Sequence, residues 1–166
     1  MITERIFHWA KQTPYNTAVI HNGQRWSYRS FARAIAKARS YFARRGFVGP
    51  GHAILAVHNM QDFWMFSLAL RSLGLTTLAA RSAGAVHQLR LPELRLVVTS
   101  ATEMWPELED ACVARGLPLL SAQLDGETGL SLDSSGTGHP PGGHIVWTSG
   151  TTGADKMVLL SPEIDA

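Results

Sequence analysis

The stretch Trp147-Thr148-Ser149-Gly150-Thr151-Thr152-Gly153-Ala154-Asp155-Lys156 crowds four hydroxyls, two glycines and one lysine between two apolar runs. Glycines let a backbone turn tightly and approach an anion, while hydroxyls and freed N–H groups donate to phosphate oxygens and an ammonium offsets their charge. The flanks decide which kind of phosphate loop this is. Ile145–Thr148 before it and Met157–Leu160 after it are β-branched or apolar, so both sides read as strands. A Walker-type loop needs Lys-Ser or Lys-Thr at the start of a helix, and a dinucleotide fingerprint needs Gly-x-Gly-x-x-Gly after a strand. Neither is present: Gly150 and Gly153 stand too close to Lys156, and Gly136-x-Gly138 falls in an irregular segment. What remains is strand, hydroxyl-rich loop, strand. Such a loop has no helix dipole behind it and relies on its own donors.

Upstream, short apolar runs alternate with longer amphipathic segments, the pattern of an α/β domain with a largely parallel sheet flanked by helices. A helix over Glu4–Gln12 is stopped by Thr13-Pro14, and Asn22-Gly23 is a hairpin signal between strands Thr17–Ile20 and Gln24–Ser27. Ser27 caps a helix whose apolar face is Tyr28, Phe31, Ile35, Ala38 and Phe42, with Gly46 as its stop. Its other face carries Arg29, Arg33, Lys37 and Arg44 and reads as a solvated face. Strand Ala53–Val57 leads through the cap Asn59 into a helix over Gln61–Leu73, and Thr76–Ala79 is the next strand. A short helix over Ala83–Leu91, a strand Leu96–Thr99, a helix over Glu103–Arg115 and a short strand Pro118–Leu120 complete the series. Residues 121–143 hold six glycines, four serines and Pro140-Pro141 and read as an exposed loop.

Composition narrows the classes. With 45% hydrophobic and 17% charged side chains in 166 residues, the chain suits one globular unit with a sizeable core. A formal charge of +2 argues for neither nucleic acid nor membrane binding. A lone Cys112 excludes an internal disulfide framework and a multi-cysteine metal site, and no run resembles a signal peptide or a membrane span, so a cytoplasmic protein is expected. The seven histidines have no paired ligand spacing and no metal site is expected. Cys112 reads as a buried structural thiol, and Trp64 and Trp105 as packing residues.

Thr148-Ser149-Gly150-Thr151-Thr152-Gly153-Ala154-Asp155-Lys156 resembles the phosphate-binding signature of the adenylate-forming enzymes, the superfamily of acyl-CoA synthetases, nonribosomal peptide synthetase adenylation domains and luciferases. Pro14–Ile20, Trp26-Ser27-Tyr28, Gly46–Gly51 and Val57-x-Asn59 with Phe63-Trp64 resemble that family's amino-terminal region in the same order. The resemblance runs from about Thr3 to Ser161. It implies residues 1–166 as a single truncated amino-terminal subdomain, with 148–156 as its phosphate-binding loop. It implies a ligase that uses ATP and magnesium to convert a carboxylic acid to an acyl-adenylate, then passes the acyl group to coenzyme A or a carrier-protein phosphopantetheine. By position, Thr148, Ser149, Thr151 and Thr152 would donate to the β- and γ-phosphates, Gly150 and Gly153 would permit the turn, and Lys156 would supply the catalytic positive charge. The protein's contribution there is positioning and stabilisation of charge on the departing pyrophosphate.

Three positions depart from the family pattern: Asp155 stands where proline is common, Met157 where glycine is common, and Pro162 where a histidine often follows. A carboxylate at about 4 Å from a phosphate charge is repelled by about 1 kcal/mol in water and about 4 kcal/mol at an effective dielectric of 20, so weaker ATP binding is expected. The family's adenine, ribose, acyl and magnesium contacts lie beyond the loop, so the chain alone is expected to be catalytically inert. Two other readings differ in class: a standalone, non-catalytic binding module that keeps the family fold, and a self-associating subunit that covers exposed apolar surface.

Overall fold

The computed structural model describes residues 2–103, 105–124, 132, 138–149 and 155–163. The chain begins with α1 (Ile2–Gln12) and an antiparallel hairpin of β1 (Thr17–His21) and β2 (Gln24–Ser27). The hairpin turns on Asn22 and Gly23, both at positive φ (49° and 76°), as the Asn-Gly signal requires. Helix α2 (Tyr28–Arg44) starts where expected: the Ser27 hydroxyl accepts the Ser30 N–H at 3.2 Å. From there strands and helices alternate as β3 (His52–Ala56), α3 (Met60–Ser72), β4 (Thr76–Ala79), α4 (Ala83–Gln88), β5 (Leu94–Ser100), α5 (Leu108–Val113) and β6 (Leu119–Ala122). The last elements are β7 (His144–Ser149) and β8 (Asp155–Leu160).

These strands form a six-stranded sheet in the order β6-β5-β3-β4-β7-β8, parallel throughout except for β8, which runs antiparallel to β7. The α/β reading with a largely parallel, helix-flanked sheet therefore holds. Ala53, Ile54, Leu55 and Ala56 of the central β3 are all fully buried, the mark of a strand covered on both faces. Alternate residues feed two apolar layers. Ala53 and Leu55 join Phe31, Ile35, Phe42, Phe66 and Leu70 beneath α1, α2 and α3. Ile54 and Ala56 join Val86, Leu108, Cys112 and Ile145 beneath α4 and α5. The outermost strand β8 is different in kind: Met157, Val158 and Leu159 are exposed, on an edge with no further strand among the described residues.

Several boundaries shift by one or two residues from the sequence expectation, and three differences have a local cause or partner in the structure. Helix α5 begins at Leu108, not Glu103, because Pro106 interrupts the turn, Glu107 adopts a left-handed φ of 63°, and the Glu103 carboxylate is engaged elsewhere. Helix α4 ends at Gln88 because Leu89 turns to an extended conformation. Strand β6 continues through Ser121 and Ala122, which pair with Thr99 and Ser100. The segment beyond, residues 125–131 and 133–137, lies outside the described residues.

The entry into β7 is unusually tight. A Cβ placed on Gly142 would stand 2.0 Å from the Leu75 carbonyl oxygen, and one on Gly143 would stand 2.7 Å from that of Leu160. Gly142 also donates its N–H to the Arg71 carbonyl at 2.8 Å, while the Arg71 guanidinium Nε donates to the Gly142 carbonyl at 3.3 Å. The colliding atoms are backbone, so a methyl group there must displace a strand. Gly142→Ala is expected to destabilise the fold by about 3 kcal/mol or more, read as a lowered urea midpoint, whereas Gly84→Ala, with ordinary space for the methyl group, should move it far less.

Candidate functional site

Strands β3, β4, β5 and β7 all present their carboxyl ends at one edge of the sheet, and the segments that leave β3 at 57–59, β4 at 80–82 and β5 at 101–103 share that edge. The hydroxyl-rich loop is the connection of the β7–β8 hairpin. Its arms are held in register as Trp147↔Met157, Thr148↔Lys156 and Ser149↔Asp155. The Thr148 hydroxyl donates to the Lys156 carbonyl at 3.4 Å, and the Lys156 side chain is exposed. Of the expected site residues, Thr148, Ser149 and Lys156 are thus brought to the ends of two paired strands. Gly150, Thr151, Thr152 and Gly153 lie outside the described residues. Asp155 opens β8, an edge strand, which is a position where proline is tolerated.

The hairpin reaches past the rest of the sheet. Only His144 and Ile145 pair with β4, opposite Thr77 and Leu78, while Val146–Ser149 pair with β8 alone. Trp147 supports the projecting part: its indole N–H donates to the Ala79 carbonyl at 3.0 Å, and the Arg81 guanidinium lies over its ring at 4.8 Å. At the base, the His144 ring nitrogen bonds the Thr77 hydroxyl at 2.8 Å, and Thr77 in turn bonds Ser67 at 2.9 Å.

A second polar arrangement sits at the same edge, between β3 and β5. The chain passes from β3 to β4 on one side and returns across β3 to β5, so this gap is the topological switch point where open α/β sheets commonly take ligands. Here a side chain of the protein fills it. The two Glu103 carboxylate oxygens accept the backbone N–H groups of His58 (2.7 Å) and Asn59 (2.8 Å), and Glu103 Oε2 also accepts the Trp105 indole N–H at 3.2 Å. His58 stacks on Trp105 with ring centroids 4.2 Å apart and bonds Glu103 at 3.2 Å. Nearby, Ser100 donates to Asp62 at 2.9 Å, and Asn59 caps α3 by accepting from Gln61 and Asp62. Sequence reading placed Glu103 inside a helix and so missed this role; Pro106 was the available signal that the helix begins later. Trp105 packs, as expected. Trp64 does not: it is 43% exposed, at the rim of a groove of about 460 Å³ between α1 and α3 that also includes Trp9 and Phe63.

Partial burial pushes the Glu103 carboxyl up, but its bonds to the His58 and Asn59 N–H groups, Trp105 and the His58 ring outweigh that and hold it below the usual carboxylate range. Burial pushes the Cys112 thiol up, with Arg115 opposing, which suits a structural thiol and not a nucleophile. Among the described residues no group of three or more His, Cys, Asp or Glu could hold a metal ion, and no helix is long and apolar enough to cross a membrane.

No protein-family model matches the chain, and no curated protein matches it in sequence. Solved structures do match its fold. The amino-terminal subdomain of NpsA from Klebsiella oxytoca superposes with a TM-score of 0.67 at 18% identity, over 95% of this chain and 41% of that one. The amino-terminal domain of FACL13 from Mycobacterium tuberculosis gives 0.70 at 18% identity, over 96% and 44%. O-succinylbenzoate coenzyme A synthetase (MenE) from Bacillus subtilis, in complex with AMP, gives 0.67 at 17% identity, over 95% and 42%. The fold is that of the amino-terminal domains of adenylate-forming enzymes. The chain spans less than half the length of these structures.

Because the folded-state pKa of Glu103 is lowered, its contribution to stability is complete above the unfolded carboxylate value, about 4.3, and is lost as pH falls through the folded one. Urea titrations at pH 7 and pH 3 are expected to give a smaller acid destabilisation in Glu103→Gln than in the wild type. An equal loss in both would assign the acid sensitivity to other carboxylates.

Proposed function

We propose that this chain is the amino-terminal part of an ATP-dependent acid–thiol ligase. In the complete enzyme, residues 148–156 hold the β- and γ-phosphates of ATP. Thr148, Ser149, Thr151 and Thr152 donate to phosphate oxygens, Gly150 and Gly153 permit the turn, and Lys156 is the catalytic cation that offsets charge on the departing pyrophosphate. Magnesium accompanies the nucleotide, a carboxylic acid attacks the α-phosphate, and the acyl group passes from the adenylate to coenzyme A or a carrier-protein phosphopantetheine thiol.

The observation that carries this reading is the β7–β8 hairpin, in which Thr148 and Lys156 stand opposite one another at the carboxyl edge of the sheet. The same fold occurs in a synthetase solved with AMP and in the NpsA subdomain solved with 3-hydroxybenzoyl-AMSN. A loop held by two strands is aimed by their register and not by a helix axis, which suits a cradle that closes on its nucleotide. The donor set fits a polyphosphate: hydroxyls and backbone N–H groups for the oxygens and one ammonium for the charge. On this reading the isolated chain is inert, since the adenine, ribose and acyl contacts that the family resemblance implies lie beyond the loop. A standalone binding module is the second reading, favoured by Glu103 filling the switch-point gap with the chain's own carboxylate.

Two measurements test the proposal. Pyrophosphate–ATP exchange by the 166-residue chain with a panel of carboxylic acids is expected to stay at background, and substantial exchange would overturn the division of labour. In the complete enzyme, Asp155→Pro is expected to tighten magnesium–ATP binding about fivefold, corresponding to removal of about 1 kcal/mol of repulsion. Lys156→Ala should weaken it about tenfold or more. Unchanged dissociation constants in both variants would remove the loop from ATP binding.

A further inference from the structure

Trp147 leaves the body of the sheet and rebonds to it through its side chain. The pairing of β7 with β4 stops after Thr77↔His144 and Leu78↔Ile145. Thr77 donates its N–H to the Gly143 carbonyl, and in a parallel ladder residues two apart on one strand face the same neighbour, so the Ala79 carbonyl also faces β7. One more step of that ladder would bring the backbone N–H of Trp147 to this carbonyl. In the structure the indole N–H of the same residue takes the acceptor instead, at 3.0 Å. The two backbones have separated at this step. A bond open to any residue but proline has been exchanged for one that needs a long side chain with its own N–H.

Both ends of the indole bond are held. Beside Ala79, Ala80 donates its N–H to the Leu55 carbonyl at 2.8 Å, and the Ser82 hydroxyl caps α4 by accepting the Ala85 N–H at 3.1 Å. The Trp147 ring packs against the apolar layer that includes Val86 and Ile145, while the Arg81 guanidinium lies over it at 4.8 Å. Beyond Trp147, Thr148 pairs with Lys156 across the hairpin and has no ladder partner on β4. The last tie between β4 and the strand that carries Thr148 is therefore a side chain.

We infer that Trp147 is a positioning residue, a role whose catalytic consequence rests on the ligase reading: the indole bond that replaces the next rung of the β4–β7 ladder fixes where Thr148 and Lys156 stand relative to the phosphates. Trp147 itself touches no phosphate in this scheme and acts through those two residues. Charge on a departing pyrophosphate builds up only as the reaction proceeds, so misplaced donors cost more in the transition state than in the bound nucleotide. Loss of the indole N–H lowers turnover more than affinity.

The test is Trp147→Phe, which keeps an apolar ring and removes the donor. In the ¹⁵N-labelled 166-residue chain, hydrogen exchange at the Thr148 and Lys156 amides is expected to quicken about tenfold, with the amides of β3 unchanged. In the complete enzyme, pyrophosphate–ATP exchange per folded molecule should show kcat lowered about tenfold and the KM for ATP changed by less than about twofold. Should Trp147→Phe fail to fold, benzothienylalanine at position 147, which keeps the two-ring shape and lacks only the N–H, must give the same division. Unchanged amide exchange, a wild-type kcat, or a raised KM with kcat intact would each overturn the inference and leave the ligase reading standing. A wild-type complete enzyme that performs no exchange with any carboxylic acid overturns the ligase reading, and the catalytic role of Trp147 with it.

Discussion

The architecture depends on the burial of β3 from both sides. Its residues Ala53 to Ala56 have no contact with solvent, and their alternation divides the molecule into an α1–α2–α3 layer and an α4–α5 layer. The strand is parallel to both neighbours and joined to β4 by a helix that crosses a face, the arrangement by which parallel sheets are covered on both sides. The order β6-β5-β3-β4 follows: the chain goes out from β3 to β4, then returns across it to β5. The loops leaving β3, β4 and β5 are thereby gathered at one edge, and β7 joins them in parallel beside β4. The candidate site's edge is a by-product of covering a single apolar strand twice.

Most of this was legible in the sequence because the signals were local. Ser27 and Asn59 cap their helices through side-chain oxygens, and Asn22-Gly23 turns the hairpin, each within four residues of the group it serves. Glu103 was illegible for the opposite reason. Its partners His58 and Asn59 lie about forty-five positions earlier, and nothing near Glu103 announces them. Three-dimensional neighbourhood, not propensity, decided that it would anchor a loop instead of opening a helix. The basic face of α2 was seen as a pattern, but that a groove runs beside it depends on how β2 and Tyr15 fold back against that helix. Periodicity carries no information about concavity.

The candidate site divides in the same way. The strands on either side of the hydroxyl-rich run followed from β-branched and apolar flanks, and β7 and β8 bear them out. What the flanks could not give was the support from outside the hairpin. Trp147 had been read only as part of an apolar run, yet its indole reaches the end of β4 and its ring carries Arg81. The closeness of Gly142 and Gly143 to Leu75 and Leu160 likewise belongs to the sheet and not to the run of residues around them.

The hairpin is also a lever. Its last ladder bonds to the body of the sheet are at Ile145, and four residues at about 3.3 Å each carry its arm about 13 Å outward to Ser149. A swing of about 10° about that pivot would move the arm's end by about 2 Å. Trp147, bonded to Ala79, moves the pivot two residues outward, halving the arm and holding the same swing to about 1 Å. The tryptophan that opens the hydroxyl-rich run therefore stiffens the arm that carries Thr148 and Ser149.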